Sequence, residues 1–185
     1  DGSASWVAGK FDNALNFDGI DDYVLVSGYP GITGPARRTV SLWFKTSADN
    51  RPILSYGAAS PDGSLFKISL SSGQAVVDYG GATLTGGSGL ADGNWHHLAV
   101  ASPYGSTVST AKLYLDGNDS LATVANGATA IDTGAGNFVK LGTDGSSYFQ
   151  GQLDDVRFYG IEMEAASIAV VYGAGAGDFN RIRIK

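Results

Sequence analysis

The stretch Thr39-Val-Ser-Leu-Trp-Phe-Lys45 changes polarity at almost every step: Val40, Leu42 and Phe44 share one side, and Ser41, Trp43 and Lys45 share the other. A period of two becomes two faces only when the backbone is extended. The same habit recurs along the chain. Ser64 to Leu70 brings Phe66, Ile68 and Leu70 together, and Gln74 to Tyr79, Asn94 to Ala101, Ala111 to Asp116, Asn137 to Thr143 and Tyr148 to Tyr159 are further candidate strands. Between them stand Asp62-Gly63, Asp92-Gly93, Asp116-Gly117 and Asp144-Gly145, where glycine supplies a positive φ and aspartate accepts a local hydrogen bond. Short strands recurring every 8 to about 12 residues predict an all-β antiparallel sandwich. Composition agrees, because there are only two glutamates, Glu162 and Glu164, and one methionine, whereas Thr, Val, Tyr, Phe and Gly abound. One short helix is expected, over Glu162 to Tyr172, with Ile161, Ile168, Val171 and Tyr172 at helical spacing.

A chain of 185 residues fits one domain; a core of that size buries about 70% of the surface the unfolded chain exposes. The Gly- and Ser-rich stretches Thr83 to Gly89 and Ala122 to Gly136 read as long loops. Gly173-Ala-Gly-Ala-Gly177 is the linker candidate, so the domain is expected over 1–177, with 178–185 a tail, final strand or linker. The chain opens at Asp1 without Met, a basic segment or an apolar leader, which suggests a mature segment or an excised domain. A net charge of −6 gives no global support for binding a phosphate backbone, so no nucleic-acid partner is expected. No apolar run reaches membrane-spanning length, so no insertion is expected. With no cysteine there is neither a disulfide nor a thiolate metal site, and a stabilising metal would be a hard, oxygen-liking ion.

The most unusual local feature is Asp18-Gly-Ile-Asp-Asp22, three like charges in a turn between the runs Leu15–Phe17 and Val24–Val26. Two readings stand. The carboxylates can accept hydrogen bonds from their own turn, or they can surround Ca²⁺, which takes six to eight oxygens including backbone carbonyls. The ligand spacing of an EF-hand is missing. A second acidic pair, Asp154-Asp155, would close such a site if the first and last strands were neighbours.

Six segments in order, Gly9–Val26 (GKFDNALNFDGIDDYVLV), Thr39–Thr46 (TVSLWFKT), Asp92–Val100 (DGNWHHLAV), Lys112–Gly117 (KLYLDG), Val139–Gly145 (VKLGTDG) and Phe149–Gly160 (FQGQLDDVRFYG), resemble the laminin-G-like domains of the concanavalin A-like lectin/glucanase superfamily over nearly the whole chain. The resemblance implies a two-sheet antiparallel jelly roll with its terminal strands side by side. It also implies a structural Ca²⁺, with Asp18, Asp22 and Asp154 as side-chain ligands, Gly19 or a neighbour offering a carbonyl, and Asp155 as a further candidate. The helix start departs from the family's pattern: where a Ser or Thr cap answered by Glu is usual, Glu164 and Ser167 stand in reverse.

Trp95-His96-His97 invites a metal reading, but neighbouring strand residues face opposite ways and cannot share an ion. Trp43 marks either a strand covered on both faces or one wall of an aromatic groove. Glycosidases of this superfamily need two carboxylates about 5–9 Å apart on one strand face, usually as E-x-D-x-E, and no such run occurs. A lyase constellation would draw on Tyr148, Gln150 and Gln152, with His96 and His97 in the wrong motif for it. No serine-nucleophile or phosphate-cradle signature has its supporting residues. The sequence therefore points to a non-catalytic recognition module, extracellular or at the surface of a bacterial cell and part of a longer multidomain chain. Its partner would be a glycan or a surface protein, with Tyr29, Tyr56, Tyr79, Tyr104 and Tyr148 as candidate ring platforms for a sugar. The alternative is a Ca²⁺-stiffened structural or adhesive spacer or protein-interaction domain, and a polysaccharide lyase or hydrolase stands behind both.

Overall fold

A computed structural model describes residues 3–173. The linker and tail expected beyond Gly173 lie outside the described residues. Fourteen strands run in chain order: β1 Ser5–Ala8, β2 Asn13–Asp18, β3 Val24–Leu25, β4 Arg38–Lys45, β5 Pro52–Gly57, β6 Leu65–Ser71, β7 Gln74–Asp78, β8 Thr83–Gly86, β9 Trp95–Ser102, β10 Lys112–Leu115, β11 Asn118–Asp119, β12 Thr123–Ala125, β13 Lys140–Leu141 and β14 Gln150–Tyr159. Among the described residues a single 3-10 turn covers Val108–Thr110, and one helix, α1, spans Ala165–Gly173.

The strands form two seven-stranded sheets. The first has the order β1-β2-β14-β4-β9-β10-β11 and the second β12-β8-β7-β6-β5-β13-β3. Neighbouring strands are antiparallel throughout both sheets. The jelly roll expected from the resemblance is therefore the fold observed, with β2 and β14 adjacent as the terminal strands should be.

Between the sheets, Val40, Leu42 and Phe44 of β4 face Leu54, Phe66 and Ile68 of the second sheet, each fully buried. Burying one such side chain is worth about 1.5–3 kcal/mol, and this layer is where the two sheets are held together. Trp43, Ser41 and His97 point to the other side of the first sheet, and there α1 lays Tyr172 over Trp43 and His97 and seats Ile168 and Val171 against Ala99, Ala101 and Tyr114. β4 is thus covered on both faces, and only Lys45 reaches partly into solvent. A β-bulge between Asp154 and Arg157 resets the alternation of β14. Asp155 takes a left-handed φ of 51° there. As a result Leu153, Val156 and Phe158 all reach the core while Arg157 and Tyr159 lie on the outer face.

Two expectations need correction. The stretches read as long loops contain β8 and β12, which pair with each other, Thr83 with Ala125 and Thr85 with Thr123. The helix starts at Ala165 rather than Glu162, because the Thr39 hydroxyl accepts the Met163 amide at 2.9 Å and donates to the Ile161 carbonyl at 2.8 Å. That side chain on β4 pins Ile161 and Met163 ahead of the helix, where the expected first turn would have been.

Candidate functional site

The acidic corner joins β2 in the first sheet to β3 in the second. Its turn is shaped by its own carboxylates: Asp22 Oδ2 accepts the Asp18 amide at 2.9 Å, and Asp18 Oδ1 accepts the Ile20 amide at 2.7 Å. Gly19, with φ 83°, lies against the Gln150 side chain, and a Cβ there would come within 2.8 Å of it. Carboxylate oxygens of Asp18, Asp21 and Asp22 lie within 4.8 Å of one another. The Ile20 amide, ahead of a smaller opposing effect of burial, holds the Asp18 carboxyl below its ordinary value. A carboxylate has about four acceptor positions, so the turn amides leave capacity for an oxygen-liking cation.

The other half of the expected clasp is elsewhere. Asp18 pairs with Gln150, and Asp154 sits four positions further along β14, roughly 13 Å away at strand rise. Asp154 Oδ2 instead accepts the Phe11 amide at 2.7 Å in the β1–β2 turn. A Cβ on Gly9 would come within 2.6 Å of that oxygen, so the turn closes tightly over it. Burial pushes the Asp154 carboxyl above its ordinary value. Asp155 is held by Arg157, Nε to Oδ1 at 2.8 Å and Nη2 to Oδ2 at 2.6 Å. Asp154 and Asp155 are therefore structural, and neither joins the corner.

The five tyrosines also divide. Tyr56 and Tyr79 are 1% and 0% exposed, inside the core, and present no face to a ligand. Tyr29 is half-buried, edge-on to Phe158 at 5.3 Å. Tyr104 is largely exposed, and Tyr148 is half-buried on the loop between β13 and β14.

That loop borders a groove of about 220 Å³ on the outer face of the second sheet. Its floor is a row across three strands, Lys140, Ser55 and Lys67, which Asp78 continues beyond the groove on β7. Lys67 Nζ lies 3.4 Å from Asp78 and 3.7 Å from Asp144. Asp144 Oδ1 accepts the amides of Ser146 and Ser147 at 3.0 and 3.1 Å. Burial opposes ionisation of Asp144, but those amides and the Lys67 ammonium outweigh it and hold the carboxyl below its ordinary value. Asn137 Nδ2 donates to the Gly57 carbonyl at 2.6 Å, and beside it Phe138 keeps 41% of its surface exposed at the rim. The groove thus sets fixed donors and acceptors around a polar floor, with one aromatic edge.

A family model, Laminin_G_3, described as the concanavalin A-like lectin/glucanases superfamily, matches residues 18–169. The chain belongs to this family. Three solved structures show the fold that this laminin-G-like chain shares. Domain 4 of an extracellular GH43 arabinanase, AbnA of Geobacillus stearothermophilus, solved with arabinotriose, superposes with a TM-score of 0.68 at 19% identity, over 93% of this chain and 82% of that one. The CBM40 of a Ruminococcus gnavus IT-sialidase gives 0.65 at 17% identity, over 86% and 96%. Domains LG4-5 of the mouse laminin α1 chain give 0.59 at 20%, over 80% of this chain and 44% of that one. A comparison with curated proteins finds no match.

In this laminin-G-like domain the groove residues Lys67, Phe138, Lys140 and Asp144 escaped the sequence reading. Asp144-Gly145 looks like any other turn, and Lys67 and Lys140 alternate outward as strand lysines commonly do. Their only signal is the shared cross-strand row, which needs the pairing of β5, β6 and β13.

Proposed function

We propose that this domain recognises carbohydrate without catalysis, and that the ligand lies in the groove on the outer face of the second sheet. The observation that carries the reading is the groove's mixed lining. Asp144 can accept from sugar hydroxyls, Lys67 and Lys140 can donate to them, and Phe138 offers an apolar edge to the sugar's C–H face. Asp144 is kept ionised by its amide donors, which suits a hydroxyl acceptor and not a general acid. Two fold neighbours point the same way, the arabinanase domain solved with arabinotriose and the CBM40.

The same reading gives the acidic corner a structural Ca²⁺ held by Asp18, Asp21 and Asp22. Its support is the gathering of three carboxylates within 4.8 Å beside a turn that their own oxygens shape. When bound, the ion would neutralise these charges and stiffen the link between the sheets. We also place the domain outside the cell, as one module of a longer chain. The named extracellular arabinanase supports the location, and the laminin chain, of which this domain covers 44%, supports the architecture.

The test is a glycan array in saturating Ca²⁺, repeated with Phe138→Ala and Asp144→Asn. Binding by the unaltered domain that falls at least tenfold in both variants, with melting temperatures unchanged, is expected. No glycan bound would transfer the domain to the alternative reading as a spacer or protein-interaction module. Binding indifferent to both substitutions would move the site off the groove.

A further inference from the structure

The paired histidines of β9 lie in unlike surroundings. His96 places Nδ1 2.9 Å from Asp116 Oδ2 and Nε2 3.2 Å from Asp92 Oδ1, so both ring nitrogens meet carboxylates. His97 turns to the opposite face, 1% exposed, and neither of its nitrogens has a hydrogen-bond partner. Two further side chains on that face, Trp43 through Nε1 and Ser41 through Oγ, are equally without partners. Over them lies the last turn of α1. Tyr172 stacks on Trp43 at 5.3 Å with an interplanar angle of 16°, stands 5.8 Å from the His97 ring, and rests on Gly117, where a Cβ would come within 2.8 Å of it.

The charges around His97 offer its ring no acceptor. From the β10–β11 turn comes Asp116, whose Oδ1 already takes the His97 amide at 2.8 Å and whose Oδ2 is engaged by His96. From β14 come Arg157, paired with Asp155 and bonded to the Tyr159 hydroxyl, and Asp154, opposite Trp43. From the β1–β2 turn comes Lys10, 4.4 Å from the Trp43 ring centre. β4 contributes Lys45, two residues beyond Trp43 on the same face and partly in solvent, β10 the phenol of Tyr114, and α1 the phenol of Tyr172, none of which is an anion. A proton arriving on His97 would therefore create a buried cation with nothing to bind, which interiors do not tolerate. Burial, opposed by Asp116 and reinforced by Arg157, pushes the ring down to about 4.

Relief can come from two sides. Parting β4 from β9 would break eight paired positions. Raising the end of α1 gives up one aromatic stack and the seat of Val171 against Ala99, Ala101 and Tyr114, while Val170 beside it is already 52% exposed. We propose that His97 is an acid-operated latch: its protonation lifts the last turn of α1, with Tyr172, away from Trp43 and leaves the first sheet intact. Acid then turns the covered ring of Trp43, with His97 beside it, into a wet aromatic surface.

The experiment uses the chain with Trp6→Phe and Trp95→Phe, so that Trp43 is the sole indole. Acrylamide quenching is followed from about pH 7 to about pH 3.5 beside far-ultraviolet circular dichroism. A several-fold rise in quenching with an unchanged sheet signal, abolished by adding His97→Phe, is expected. Flat quenching, a rise that comes only with loss of the sheet signal, or an unaltered response in His97→Phe overturns the proposal. Should His97→Phe fail to fold, imidazole titration by NMR in the natural chain decides. The Tyr172–Trp43 proximity signal must vanish with the His97 midpoint, and its persistence past that midpoint overturns the latch.

Discussion

Asp154 and Asp22 are both largely buried carboxylates that accept a backbone amide beside a turn, and they differ in their company. Asp22 has Asp18 and Asp21 within 4.8 Å, whereas Asp154 holds the Phe11 amide and lies far along β14. Asp22→Asn keeps an oxygen for the Asp18 amide and removes only charge. It should therefore abolish any Ca²⁺-dependent rise in melting temperature, while Asp154→Asn leaves that rise intact; melting curves in Ca²⁺ and in chelator read both. Arg38 makes a different demand. It is fully buried, and its guanidinium donates to the carbonyls of Ile32, Gly34 and Ala36 and to Thr133 Oγ1, with no carboxylate among the described residues bonded to it. Arg38→Met would leave those acceptors dry, and at about 1–3 kcal/mol for each buried group left unpaired a loss of about 3 kcal/mol or more is expected in urea unfolding. Arg38→Lys should recover only part, because an ammonium cannot present the same planar fork.

Among the elements, alternation alone located β4, β6 and β9 to within a residue or two, since each carries one apolar and one more polar or separately covered face. β8 and β12 were hidden because they sit in stretches rich in Gly, Ser and small residues, and pairing, of β8 with β7 and of β12 with β8, makes them strands. The bulge in β14 was hidden for a related reason: an extra residue in one strand shows itself only against the partner that does not have it. The Asp154-Asp155 pair was misplaced in the expected metal site for another reason, since the residue opposite Asp18 on β14 is Gln150. The start of α1 depends on Thr39, more than a hundred residues earlier in the chain. Thr39→Val removes both of its bonds and should cost about 1–3 kcal/mol, with urea unfolding as the measurement and the β4–β9 pairing unaffected.

For the molecule as a whole, the jelly roll was legible because six motifs in order carry it. The groove was not, since its lining comes from strands distant in sequence that meet only after folding. Charge acts at this scale too. Asp92 is lowered to about 2, chiefly by the Asn94 side chain, and Asp18 and Asp144 are lowered as well. Carboxyls more acidic in the folded state than in the unfolded one stabilise fully above the unfolded value of 3.8 and lose that contribution as pH falls through the folded value. Denaturant midpoints measured across the acid range should accordingly drop between about pH 4 and pH 2, and Asp92→Asn should flatten part of that drop. Finally, the outermost strands β1, β3, β11 and β12 are four, two, two and three residues long. Each margin therefore exposes too little unsatisfied ladder to template another polypeptide, so the domain can stand crowded beside its own copies at high concentration without fusing into fibrils.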